Sequence, residues 1–356
     1  MSLRERREIL ALASANEGAL ITLVRTEGST YRRPGARLFT TPDGTFAGTI
    51  SGGCLEAELL RKASWKTKDG AVLEHYSTAF DDTAEIPYGL GCGGEVDLLL
   101  EPANTPEATA LLQAMADSLQ GQTHRIATQY EPFARIVLSE NHDVTFASDH
   151  LETEEIVALR AHLRSDTPHK NLFLETLHPP QRLILFGAGE DAKPLVRLAH
   201  EMGWNVLVVD RRIQHARTER FPQAHSVVQQ IEVRVQDCVV LMTHSYEEDR
   251  RLLTQMLTIN PKYLGLLGAR HRSSLLLSEA APAASLTLSE ACTRTSAPTG
   301  LDLGGDGPEA VALSIIAEIQ ATLHARTPRP RILTEKTVLE QLATHGTKIP
   351  IDACAQ

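Results

Sequence analysis

Leu183–Arg212, LILFGAGEDAKPLVRLAHEMGWNVLVVDRR, decides the fold, because it reads as strand, turn, helix and strand in one uninterrupted run. Leu183–Phe186 is a short apolar run of the buried-strand kind, and Gly187, Gly189 and Ala192 then take the G-x-G-x-x-G/A positions of a strand-to-helix turn. The first glycine permits the tight turn, the second lets backbone approach a phosphate, and the small Ala192 lets the helix lie close on the sheet. Leu195, Leu198 and Ala199 share one side of a helix expected over Asp191–Met202, with Gly203 as its stop. The next strand, Val206–Val209, ends at Asp210, about twenty residues past the glycines, where a ribose-binding carboxylate is expected.

A turn of this kind sometimes only packs a helix on a sheet, but free helix amides pointing into a crevice suit a ligand phosphate. Glu190 and Asp191 suit the helix dipole and at the same time repel an anion. Asp210 favours a free ribose hydroxyl, while Arg211 and Arg212 accommodate a 2′-phosphate. The choice between NAD and NADP therefore stays open.

Outward from this unit, a second doubly wound half is legible. Cys238–Thr243 is a buried strand followed by His244, Ser245 and a helix over Glu247–Leu257, and Tyr263–Leu267 is a further strand. Val227 and Val228 mark a short strand, and Pro308–Leu323 a helix after the glycine-rich Thr299–Gly307. Loops after parallel strands share one edge of the sheet, so Gly187–Ala192, His244–Ser245 and Gly268–Arg272 should line one crevice. There Arg270 and Arg272 either meet a phosphate or carboxylate or form a solvated basic loop. His244 is either a general base or ligand, or a histidine that simply bonds backbone.

The amino-terminal part carries different signals. A helix over Leu3–Ala15 and a strand over Ala19–Thr26 precede a turn-rich segment with a hairpin, Arg37–Thr41 and Thr45–Ile50. Ser51-Gly52-Gly53-Cys54 then opens a helix over Leu55–Ala63. A thiol in the first turn of a helix faces unpaired amides, which lowers its pKa, although a free cysteine is as readily a small buried hydrophobe. Glu74–Tyr76 reads as linker leading to Gly89-Leu90-Gly91-Cys92-Gly93-Gly94 and a strand over Glu95–Leu100. Cys92 stands among four glycines that offer no side chains to pack with, so it favours a place of close approach. Two such cysteines without a spaced pair of histidines do not make a closed zinc site. Residues 105–178 read as a connecting module, helix Glu107–Leu119, strands near Arg125–Gln129, Arg135–Leu138 and Val144–Phe146, helix Thr153–Leu163 and strand Leu172–Thr176, without a chemical constellation.

The expected organisation is an amino-terminal domain over 1–104, the connecting module over 105–178, a Rossmann-like domain over 179–325 and a tail over 326–356 with a short helix near Glu335–Ala343. The fold class is α/β, a carboxy-terminal doubly wound parallel sheet joined to a smaller α+β amino-terminal domain. Totals narrow the function. With 356 residues the chain exceeds one ordinary core, and a net charge of −10 with dispersed Lys and Arg argues against nucleic acid or anionic membrane as the partner. No apolar run spans a bilayer, the charged MSLRERREILALA is unlike a signal peptide, and five scattered cysteines without a CxxC suit a reducing, cytoplasmic setting.

Together these motifs resemble the xanthine dehydrogenase accessory factor family, of XdhC/CoxI type. The resemblance is carried by GSTYRRPGARLF, GTISGGCLEAEL, GLGCGGEVDLLLEP, LILFGAGEDAKPLVRLA with VVDRR, THSYEED, YLGLLGARHR and PTGLDLGG, in family order over about Gly18–Leu323. It implies a commonly dimeric protein that binds molybdenum cofactor (molybdopterin) and protects it around the exchange of a terminal oxo for a sulfido ligand by a cysteine desulfurase. It also implies delivery to a molybdenum hydroxylase. By that resemblance Cys54 and Cys92 contact the cofactor or its metal, and the Gly187–Ala192 turn takes a phosphate or nucleotide. The candidate cofactor-binding residues are thus Cys54 and Cys92 with Gly52, Gly53, Gly91 and Gly93, and Gly187 and Gly189 with Asp210, His244 and Arg270 from the strand-edge reading. Many members carry a histidine after the second glycine, where this chain has Glu190. Soft molybdenum suits thiolates, and a pterin phosphate suits a helix amino terminus. The expectation is a handover protein rather than a turnover enzyme. A nicotinamide-dependent oxidoreductase is the competing reading.

Overall fold

The computed structural model describes residues 1–28, 30–77, 94–165, 169–212, 214–329 and 332–345. The chain divides into two compact units, Met1–Pro179 with Leu333–Gln356, and Pro180–Ile332.

The first unit holds two antiparallel sheets. Helix α1 (Leu3–Ala15) starts in a reciprocal cap, in which Glu5 N–H donates to Ser2 Oγ and Ser2 N–H to Glu5 Oε2. It leads into β1 (Ala19–Glu27), β2 (Arg37–Thr40), β3 (Phe46–Gly48), α2 (Cys54–Lys66), β4 (Val72–Ser77) and β5 (Glu95–Pro102), whose strands pair in the order β3-β2-β1-β5-β4. Residues 72–77, which contain the Glu74–Tyr76 stretch expected as linker, form an edge strand, with Val72 opposite Leu100 and Tyr76 opposite Val96. Val72, Glu74 and Tyr76 turn inward and Leu73 and His75 outward, an alternation that the charged residues hide from composition. One face of this sheet buries Ile21, Leu23, Leu38 and Leu98 against Leu55, Leu59 and Ala63 of α2.

Helix α3 (Pro106–Leu119), capped by Thr105, is followed by β6 (His124–Gln129), β7 (Ala134–Leu138), β8 (Val144–Ala147), α4 (Thr153–Ser165) and β9 (Leu172–Leu177), a sheet of order β8-β7-β6-β9. Ile9 of α1 and Leu111 and Met115 of α3 share a core with Leu20 and Phe39 of the first sheet and Ile126 and Val137 of the second. Two ion pairs reinforce that junction. Arg135, fully buried, grips both oxygens of the buried Glu101 at 2.8 and 3.0 Å, and buried Arg37 pairs with Glu175. Residues 105–178 are thus packed into the first unit through charges and a common core. Helix α10 (Glu335–His345) closes the described chain.

The second unit is a doubly wound parallel sheet. Its elements are β10 (Arg182–Phe186), α5 (Ala192–Glu201), β11 (Asn205–Val209), β12 (Ser226–Val228), β13 (Cys238–Leu241), α6 (Tyr246–Ile259), β14 (Tyr263–Leu266), α7 (Arg270–Ala283), α8 (Leu288–Arg294) and α9 (Pro308–Leu323). Strand order is β12-β11-β10-β13-β14, all pairs parallel, so the order reverses between β10 and β13. Alternation along each strand sends Leu183, Leu185, Val206, Val208 and Val240 toward α5 and α9, and Ile184, Phe186, Leu207, Val209 and Leu241 toward α6, α7 and α8. No helix lies between β12 and β13, because residues 229–237 run as turn and irregular chain.

Candidate functional site

Each unit presents a glycine turn ahead of a helix. In the first unit Gly52 and Gly53 have φ of 87° and 131°, a backbone closed to ordinary side chains, and Cys54 is the first residue of α2. What shapes this turn is Glu56, two residues further on and 5% exposed. Its Oε1 accepts from Thr49 Oγ1 at 2.8 Å and from the amides of Ile50, Ser51 and Gly52 at 2.8, 2.7 and 3.2 Å. Its Oε2 accepts from Ser51 Oγ and from Gly53 N–H at 2.8 Å. Ser51 Oγ in turn takes the Leu55 amide at 3.0 Å. Burial alone would raise the Glu56 carboxyl, but the hydroxyl and amide donors from Ser51, Ile50 and Thr49 pull it down to about 2. The turn is a nest of amides that the chain itself has filled with a carboxylate. Gly52 also lies against the ring of Tyr31, which is 69% exposed. Cys92, Gly91 and Gly93 lie outside the described residues.

In the second unit Gly187 has φ of 119°, and a side chain there would collide with the carbonyl of Met242 on the neighbouring strand end. The turn is tied to β11 by Gly187 N–H to Val209 O at 2.8 Å and Ala188 N–H to Asp210 Oδ2 at 3.0 Å. The amides of Gly189, Glu190 and Asp191 donate to no group among the described residues. They lie at the amino-terminal end of α5 and suit an anion. Two carboxylates qualify that site. Glu190 is drawn aside by Lys193 and Arg220, at 2.6 and 2.8 Å. Asp191 lies over Gly189, with its Oδ2 2.8 Å from Nε2 of the His244 ring. His244 has a left-handed backbone, φ 60°, and stays exposed.

Asp210 stands at the end of β11 as expected, but its oxygens are filled. Oδ1 accepts from Arg212 N–H and Nε, both at 2.9 Å, and Oδ2 from Arg212 Nη2 at 2.6 Å beside the Ala188 amide. Burial works to raise this carboxyl, and the Arg212 and Ala188 donors overcome it and hold it at about 2. Beside Asp210 a cavity of about 820 Å³ opens between the ends of β11 and β12 and helix α6.

Gly268–Arg272, expected as a loop, is helical from Arg270 onward. Arg272 in that first turn bonds the buried Asp249 at 2.6 Å, so it is committed to the fold, whereas Arg270 is exposed. Cys238 is a core residue whose thiol is pushed up to about 12 by burial, then by Asp237, against the pull of Lys262. Glu56 and Arg220 were not singled out by the sequence, and Asp191 was weighed there only as a charge beside the turn. Glu56 was legible in principle, since a glutamate three residues after the residue preceding a helix is half of a capping box. Among the described residues no group of three or more His, Cys, Asp or Glu side chains is placed to hold a metal, and no helix is long and apolar enough to cross a membrane.

Comparison with known proteins bears on both turns. A family model described as the XdhC Rossmann domain matches residues 183–319, and one described as the XdhC and CoxI family matches residues 11–77. A Bacillus subtilis protein named as a probable xanthine dehydrogenase subunit is 30% identical over 322 residues, 87% of this chain and 94% of its own length. The molybdenum cofactor insertion chaperone PaoD of Escherichia coli is 25% identical over 329 residues, 90% of this chain and 88% of its own. A crystal structure from Bacillus halodurans described as a xanthine dehydrogenase superposes with a TM-score of 0.77 at 26% identity, covering 95% of this chain and all of that one. With the glycine turns, the strand order and these matches in agreement, the chain belongs to the XdhC and CoxI family.

Proposed function

We propose that this protein is a carrier of molybdenum cofactor that shields the sulfurated cofactor and inserts it into a xanthine dehydrogenase-like molybdenum hydroxylase. The observation that supports it most is the Ser51–Gly53 turn, fixed from within by Glu56 and opening α2 at Cys54. A cargo whose metal has dithiolene and sulfido ligands is soft and suits thiolates, here Cys54 and Cys92. The exposed ring of Tyr31 beside Gly52 offers a face on which a flat pterin can stack. Name and length of the relatives support the same role, since PaoD is a chaperone of that cofactor and the match runs nearly end to end.

A carrier must release what it holds, and weak, reversible contacts serve that better than a closed tetrahedral site. In this reading a cysteine desulfurase supplies the sulfido ligand, the protein works in the cytoplasm as a homodimer, and it turns over no substrate of its own. The test is metal content after expression with molybdate. Cys54→Ser and Cys92→Ser should each lower molybdenum retention, and the double variant should abolish it while the fold is kept. Full retention in the double variant overturns the carrier reading.

A further inference from the structure

The cavity beside Asp210 has a composition that neither turn explains. Its floor is apolar, from Phe186, Val209, Leu252 and Met256, and its volume of about 820 Å³ exceeds what a lone phosphate needs. It lies at the carboxyl ends of the strands, and because no helix fills the crossing from β12 to β13 it stays open above β11. A flat heterocycle with a ribose fits such a slot.

The ribose edge is unusual. A carboxylate at the end of this strand would ordinarily accept hydrogen bonds from a free ribose diol. Here both oxygens of Asp210 are consumed by four donors, three of them from Arg212, so no acceptor remains for the 2′-hydroxyl. The folded-back Arg212 also cancels the negative charge that would repel a phosphate. Among the described residues Arg211 beside it is held only by a 3.6 Å contact to Glu248, with 69% of its side chain exposed, an attachment worth little. Glu248 is meanwhile engaged by Arg251 through two hydrogen bonds, at 2.7 and 3.1 Å. Arg211 is therefore free to turn onto an incoming dianion. Glu232 also lines the cavity, exposed, and makes no ion pair with these arginines.

The geometry points to a site for a nucleotide phosphorylated on its ribose, the 2′-phosphoadenosine half of an NADP-type ligand, with Arg211 and Arg212 clasping the 2′-phosphate. A free 2′,3′-diol is disfavoured because its partner is already taken. This site is built from residues of the second unit alone and does not depend on the molybdenum reading.

The experiment is calorimetric titration of the full chain with 2′,5′-ADP and with 5′-ADP at low and high salt. The expected result is that 2′,5′-ADP binds about tenfold more tightly or better, with an advantage that shrinks as salt rises. Arg212→Gln and Arg211→Gln should each reduce that ratio to about threefold or less. Because loss of Arg212 also unpairs Asp210, Arg211→Gln with an unchanged melting curve is the decisive variant. Equal or tighter binding of 5′-ADP, no binding of either nucleotide at millimolar concentration, or an unchanged ratio in Arg211→Gln overturns the inference. None of these readouts involves molybdenum.

Discussion

The turns at Ser51–Gly53 and Gly187–Asp191 are built alike and finished differently. Both place glycine of positive φ before a helix, Gly52 and Gly53 in one and Gly187 in the other, and both are steadied by a carboxylate held at about 2. Glu56 takes four consecutive backbone amides of its turn, Ile50 to Gly53. Asp210 takes one, Ala188, and leaves Gly189, Glu190 and Asp191 with none. A glycine turn ahead of a helix is therefore not in itself an anion site. Whether it can bind an anion depends on how many of its amides the protein has already used.

The sharpest way to break the contrast is Glu56→Ala, which strips the acceptor from four amides and two hydroxyls in a buried place. It should cost about 4 kcal/mol in a urea titration, since each orphaned buried donor costs about 1–3 kcal/mol and water will satisfy part of the set. A loss near zero would mean that the turn does not rely on Glu56. Gly187→Ala comes next, because its side chain meets the Met242 carbonyl and its φ is unfavourable. About 3 kcal/mol is expected by the same measurement. Gly53→Ala meets nothing within 4 Å, so only backbone strain remains and about 1–2 kcal/mol should be lost.

Acid offers a third comparison. Glu56 and Asp210 both have carboxyls depressed in the folded state, so their stabilisation is complete above the ordinary carboxylate range and disappears as pH falls toward about 2. Unfolding midpoints followed downward from about pH 5 should fall less steeply in Glu56→Gln than in the wild type. Equal slopes would remove Glu56 from the account. The smallest effect is expected at the open turn. Asp191→Asn removes a charge over Gly189 and should tighten inorganic phosphate binding by about threefold, read by competition with a fluorescent nucleotide. Weaker binding would indicate that Asp191 acts through its bond to His244.

Much of this was legible from residues. The strand, turn and helix of Leu183–Arg212 were recognisable because period, glycine spacing and stop signal coincide, and α9 occupies the expected Pro308–Leu323. Val72–Ser77 was not legible as a strand, since an edge strand needs only one buried face and this one carries Glu74 and His75. Helix α7 was missed because Ala269 gives no side-chain cap and Arg270-His271-Arg272 carries no apolar stripe. The binding of Arg135 to Glu101, residues 34 apart in the chain, had no local signal at all.

The sequence by itself determined where the backbone can bend sharply, at Gly52, Gly53 and Gly187, and which faces of the parallel strands must be covered. Those are consequences of missing side chains and of a period of two, and both are local. Only the tertiary structure decided that Asp210 is spent on Arg212 and Ala188, that Glu56 fills its own nest and that the amides of Gly189, Glu190 and Asp191 are left over. A hydrogen-bond group serves few partners at once, and which partner claims it first is settled by distance in the folded chain.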